Sequence, residues 1–137
     1  MKKAITVATL INAPIEKVWT YWTKPMHITQ WNFASIDWWA PRATNDLTKG
    51  GKFSFRMEAK DGSFGFDLEG IYDRVEIQKR IDYTLSDERK VMVEFVVDGS
   101  TCKVIEEFEA ESENSEELQR AGWQAILDNF KKYVEEN

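Results

Sequence analysis

Cysteine is almost missing from this 137-residue chain: Cys102 stands alone, so no internal disulfide can form, and the residue reads as a small buried hydrophobe. Histidine is equally scarce. With His27 the only one, a zinc site cannot be assembled, and no Ser or Cys nucleophile stands at a recognisable spacing from it, so neither metal, cofactor nor covalent catalysis is expected. Three prolines and seven glycines are too few for a collagen-like or low-complexity chain. Gly50-Gly51 lacks the following helix and Lys-Ser/Thr of a phosphate loop and reads as a turn. No apolar run approaches a membrane span, and Met1-Lys2-Lys3-Ala4-Ile5-Thr6 turns polar too soon for a secretory signal, so a cytoplasmic protein without membrane insertion is expected. Basic residues are the minority. Eighteen of them against 24 acidic ones leave a net charge of -6, which repels nucleic acid.

Aromatic residues, by contrast, are plentiful: 13% of the chain, with 6 Trp and 8 Phe, more than a core of this size needs. The length fits one domain over residues 1–137, and the surplus of rings points to an aromatic-lined interior.

Residues 2–11 alternate as a strand, with Ile5, Val7 and Ile11 on one face and an irregularity near Leu10. Asn12-Ala13-Pro14 then starts a short helix, Pro14 at its first position and Asn12 capping from outside. Ile15, Val18, Trp19 and Trp22 recur at helical spacing before Lys24-Pro25, and a second short helix over 26–31 carries Met26, Ile28 and Trp31. From 38 to 111 the period becomes two. Turn signals at Gly50-Gly51, Asp61-Gly62, Asp87-Glu88-Arg89 and Asp98-Gly99 separate five or six antiparallel strands. Phe53, Phe55 and Met57 share one face of a strand, as do Phe64, Phe66 and Leu68 in the next and Val91, Val93, Phe95 and Val97 in a later one. A change of apolar parity after Gly70, to Ile71, Val75 and Ile77, predicts a bulge and a curved strand with a concave face. The last segment, 115–135, is a long helix whose start, Asn114-Ser115-Glu116-Glu117, offers a cap residue and a Glu three positions on. Its apolar arc, Leu118, Gly122, Trp123, Ile126, Leu127, Phe130, Tyr133 and Val134, is so wide that the helix must be wrapped by the sheet. Gly122, costly inside a helix, is expected where that helix passes closest to another element.

Several groups of residues in this order resemble one family. They are Ala13-Pro14-Ile15-Glu16-Lys17-Val18-Trp19, Trp31, Asn45-Asp46-Leu47 before Gly50-Gly51-Lys52-Phe53, Gly70-Ile71-Tyr72, Asp82-Tyr83-Thr84, and Gly122-Trp123-Gln124-Ala125-Ile126-Leu127-Asp128-Asn129-Phe130. The chain resembles the START-like, SRPBCC superfamily, in the branch similar to the C-terminal domain of activators of the heat-shock protein 90 ATPase. The resemblance implies an α+β helix-grip fold, similar to that of the birch-pollen allergen: a curved antiparallel sheet around a long C-terminal helix, two short helices after the first strand, and a cavity between. It implies no single chemistry.

Within that fold the expected ligand-binding residues are Trp31, Trp38, Phe53, Phe55, Met57, Phe66, Tyr72, Glu106, Trp123, Leu127 and Phe130. Trp38 and Trp39 are adjacent in a strand, so only one of them can face inward. Glu106 alternates with Cys102, Val104 and Phe108; on the concave face it would enter the cavity and be driven toward its neutral form, whereas the alternatives are an ion pair with Arg56 or Arg74, or an exposed face. Asp67 and Glu69 read as a solvated strand surface and His27 as a surface residue. The leading reading is a non-enzymatic protein holding a flat, apolar, hydroxylated molecule, flavonoid-like or polyketide-like, in preference to a fatty acid. A chaperone or other protein is the alternative partner; the activators that the chain resembles carry a further N-terminal domain that this chain does not show. A cyclase- or dehydratase-type enzyme is the third reading, with Glu106, Tyr72 and His27 as its only supply of acid or base.

Overall fold

A computed structural model describes residues 3–137; Met1 and Lys2, the latter at the start of the expected first strand, lie outside the described residues. Strand β1 (Ala4–Ile11) buries Ile5, Val7 and Ile11 and turns Leu10 to solvent. Helices α1 (Ile15–Thr23) and α2 (Pro25–Trp31) follow. Pro14 is the N-cap of α1, not its first helical residue: its backbone is extended, at φ -72 and ψ 157, and no side chain caps the helix. Asn12 instead donates its backbone N–H to Glu135 Oε2 at 2.8 Å.

The sheet continues with β2 (Trp38–Trp39), β3 (Ala43–Asn45), β4 (Lys52–Ala59), β5 (Gly65–Glu76), β6 (Arg80–Leu85), β7 (Lys90–Asp98) and β8 (Thr101–Glu109). These are seven strands where five or six were expected, because β2 and β3 are fragments of 2 and 3 residues paired to β4. All pairings are antiparallel, in the order β1-β8-β7-β6-β5-β4-β2, and the sheet curls around α3 (Glu116–Glu136) in the helix-grip arrangement.

Curvature enters at β5. Its inward residues are Phe66, Leu68, Gly70 and Tyr72, and a register shift between Tyr72 and Arg74 then brings Val75 inward. The change of parity therefore falls at Asp73, three residues later than expected, and Ile71 faces solvent. Gly70 is required by close approach: a Cβ there would lie 2.6 Å from the Phe53 ring and 2.8 Å from the Thr84 carbonyl. Gly70→Ala is expected to cost about 1–3 kcal/mol by overpacking, read as a lower urea midpoint. An unchanged midpoint would mean that Phe53 is free to move aside.

In α3 the expected arc needs two corrections. Leu118 is 60% exposed, while its neighbour Gln119 is buried. Gln119 clamps the loop before the helix: its amide donates to the Glu111 and Asn114 carbonyls at 3.1 and 2.8 Å and accepts from the Glu111 N–H at 2.9 Å. Ser115 is the N-cap, accepting from Leu118 N–H at 3.1 Å, so no Glu stands at the third helical position to complete a capping box. Gly122 is not at a close contact, since a Cβ added there meets nothing within 4 Å. Gly122→Ala is accordingly expected to stabilise the protein by about 0.5–1 kcal/mol, through the helix preference for alanine alone. A lower melting temperature would contradict the open geometry.

Helix α3 also covers the free edge of β1. Gln124 Nε2 donates to the Ala8 carbonyl at 3.1 Å and Lys131 Nζ to the Leu10 carbonyl at 2.8 Å, occupying acceptors that would otherwise template another strand. On its inner side Leu127, Phe130 and Val134 are fully buried.

Candidate binding cavity

Between the concave face and the helices lies a cavity of about 230 Å³. Its sheet wall is a run of rings fixed by strand pairing. Tyr72 pairs with Tyr83 across β5 and β6, and Phe53 packs on both, at centroid distances of 5.2 and 5.0 Å, and on Phe55 at 4.8 Å. Met57, Phe66 and Leu68 extend this wall toward its more exposed end. Opposite stand Trp22 and Trp31 from the short helices and Trp123 and Ile126 from α3. Trp123 stacks face to face on Phe108, with centroids 4.0 Å apart and planes 9° off parallel. Trp31 is pinned by its indole N–H, which donates to the Tyr21 carbonyl at 2.9 Å.

Glu106 lies on the cavity wall and is 5% exposed. Strand register puts it there: Ile81, Val93, Glu106 and Val7 form one row across the concave face. Its neighbours in that row are apolar, and among the described residues no hydrogen bond or ion pair engages its carboxyl group. Arg56 is taken by Glu58 at 2.8 Å and by Asp67, and Arg74 by Glu76. Burial alone pushes the Glu106 carboxyl from an ordinary 4.5 up to about 8, so it is largely a neutral acid at pH 7. Burial, with Glu106 nearby, also holds the Tyr83 phenol well above its usual range. The Tyr72 phenol is raised by burial and donates to Asn45 Oδ1 at 2.6 Å, and Asn45 is in turn anchored on the Thr23 carbonyl at 2.8 Å. Asn32, the C-cap of α2, is a further buried polar wall residue. Arg89 reaches the cavity with its guanidinium held by Asp87 at 2.7 Å.

The model for Activator of Hsp90 ATPase homolog 1-like proteins matches residues 12–135. The chain belongs to this family. Two solved structures are similar in both sequence and shape. The AHSA1-like protein from Aeromonas hydrophila is 43% identical with a TM-score of 0.92, covering 98% of this chain and 93% of its own. Chr148 from Cytophaga hutchinsonii is 50% identical with a TM-score of 0.84, covering 97% and 92%. The protein CV1439 from Chromobacterium violaceum is 18% identical at a TM-score of 0.86, covering 97% and 98%, a likeness of fold alone. No curated protein matches significantly.

In this AHSA1-like chain eight of the expected site residues meet at the cavity: Trp31, Phe53, Phe55, Met57, Phe66, Tyr72, Glu106 and Trp123. Three do not. Trp38 pairs with Ala59 at the far end of β4, where its ring meets Phe64 and Phe66 instead of the cavity; Trp39 is exposed, so neither tryptophan faces inward to the site. Leu127 and Phe130 point into the core behind the wall, and Phe130 supports Trp22 and Trp31 from beneath, at 4.9 and 4.7 Å. Residues not anticipated are Trp22, Asn32, Leu68, Ile81, Tyr83, Arg89 and Ile126. Tyr83 and Ile81 were open to detection, because both share the inward parity of β6 with Leu85. Asn32 carried no periodic signal, since it follows the last turn of α2. His27 lies away from the cavity and is not a free surface group: it stacks on Tyr21 at 4.0 Å, and its Nδ1 is 2.7 Å from Tyr133 Oη, tying α2 to α3.

Proposed function

We propose that this AHSA1-like chain is a cytoplasmic binding protein whose single domain holds a compact, ring-containing, hydroxylated small molecule between its sheet and α3. Family membership supports ligand or protein binding in general; the finer reading rests on one observation, an aromatic cavity with a carboxyl group that no hydrogen bond or ion pair engages among the described residues. A void of about 150 Å³ suffices for a benzene ring, so about 230 Å³ suits one or two rings. Larger polyketide- or flavonoid-like molecules would extend out past Phe66. Each well-placed ring pair contributes about 0.5–1.5 kcal/mol beyond area burial, which an alkyl chain does not collect. Above about pH 8, where Glu106 ionises, it would in addition repel a fatty-acid carboxylate.

Titration with hydroxylated aromatics and with fatty acids of equal carbon number tests this, followed by tryptophan fluorescence and amide shifts. The expected result is tighter binding of the aromatics, with shifts around Trp31, Glu106 and Trp123. Tighter binding of the fatty acids, or no shifts there with either class, would sink the proposal. A protein partner is the second reading, favoured by the exposed Trp39 and Phe64 beside Trp38. Retention of the heat-shock protein 90 ATPase on the immobilised chain, lost on Phe64→Ser, would support it.

A further inference from the structure

Two cavity residues are polar, more than nine-tenths buried and unengaged through their side chains: Glu106 on β8, 5% exposed, and Asn32 at the end of α2, 6% exposed. The Asn32 backbone N–H donates to the Ile28 carbonyl at 3.1 Å, yet among the described residues its side-chain amide has no hydrogen bond. Among the described residues, Thr23 donates to the Trp19 carbonyl at 2.7 Å and Gln119 makes the clamp described above, whereas the Tyr83 phenol on the same wall has no hydrogen bond either. Among the described residues no sealed-off side-chain nitrogen or oxygen lacks a partner, so the unpaired polar atoms of Glu106 and Asn32 stay accessible from the cavity that both residues line, where a ligand can reach them. One comes from the sheet and one from the helical side of the same cavity.

The charges around them restrict what that molecule is. Among the described residues Arg89 is the one cation on the wall, and it already holds Asp87. A carboxylate or phosphate would therefore enter an apolar space without a free counter-charge and beside a carboxyl group. We infer that the cavity selects a neutral one- or two-ring compound with two polar substituents, a hydroxyl bonded to Glu106 and a carbonyl bonded to the Asn32 amide. This rests on the aromatic-binding reading above and narrows it to a ligand class.

A matched set tests it: naphthalene, naphthol, a hydroxynaphthaldehyde and the corresponding hydroxynaphthoate, titrated by calorimetry and amide shifts. Each net hydrogen bond is expected to tighten binding by about 3- to 10-fold. The aldehyde should then bind roughly 10- to 100-fold tighter than naphthalene, and the naphthoate more weakly than the aldehyde. Asn32→Ala and Asn32→Ser should each erase the advantage of aldehyde over naphthol while leaving naphthol affinity unchanged. Glu106→Leu should erase the advantage of naphthol over naphthalene. Binding of all four with equal affinity, or preference for the naphthoate, would overturn the two-point inference while leaving the aromatic cavity intact. Binding of none would overturn both.

Discussion

Glu106→Gln is expected to stabilise the protein above pH 8 by several kcal/mol. With the acid near 8 in the folded protein and 4.5 as its ordinary value, the folded state keeps its proton where the unfolded chain has lost it. The contribution of the neutral acid is complete below about pH 4.5 and fades as pH rises, until it is gone above about pH 8, a total of roughly 5 kcal/mol at about 1.4 per pH unit. Glutamine has the same shape and no proton to lose, so its profile lacks this fall. Burial of His27 lowers its pKa and acts in the opposite sense around its ordinary 6.5, but it does so equally in both proteins and cancels in the difference. Urea unfolding of the two proteins at about pH 5, 7 and 9 decides the matter. Parallel profiles would mean that Glu106 is solvated in solution.

Removal of α3 by truncation after Glu113 is expected to abolish cooperative folding. Leu127, Phe130 and Val134 are fully buried, and each is worth about 1.5–3 kcal/mol of transfer free energy. Loss of α3 also strips Trp123 from Phe108 and uncovers the β1 edge at Ala8 and Leu10. Together these losses rival the roughly 5–15 kcal/mol net stability of a typical domain. The truncated chain should show collapsed amide dispersion and should aggregate through β1. Sharp, dispersed resonances would show instead that the sheet holds its curl unaided.

The fold was legible wherever side chains repeat with the period of their element. Alternation tied Glu106 to the face of Cys102, Val104 and Phe108, because a strand's parity fixes the face of every residue at once, but left open whether that face is the inner one, which the register with Val7 and Val93 decides. Parity does not say how far along the sheet a residue sits, and this is why Trp38 was expected at the cavity although its register with Ala59 sets it at the far end. Nor does composition reveal every turn. The β5–β6 turn holds Gln78 at φ 62, a left-handed backbone that carries no glycine or asparagine signal. On α3 an apolar arc showed which face is buried, but not that Trp123 and Ile126 would meet empty space while Leu127 and Phe130 meet protein. Asn32 was invisible for a different reason: a single polar residue after a short helix becomes informative only when its burial is known.

The cavity has a thermodynamic cost besides its shape. At about 24 cal/mol for each Å³, a closed void of about 230 Å³ would cost roughly 5 kcal/mol; this one opens to solvent past the exposed Phe66, so its cost relative to a fully packed version of the same fold is a part of that. Larger side chains at Met57 or Ile126 would then make a more heat-resistant protein that takes up nothing, and heat resistance and occupancy become competing properties of one volume. The melting temperature thereby becomes a direct gauge of what fills the chamber: a compound present at a hundred times its dissociation constant adds about 2.7 kcal/mol to the folded state.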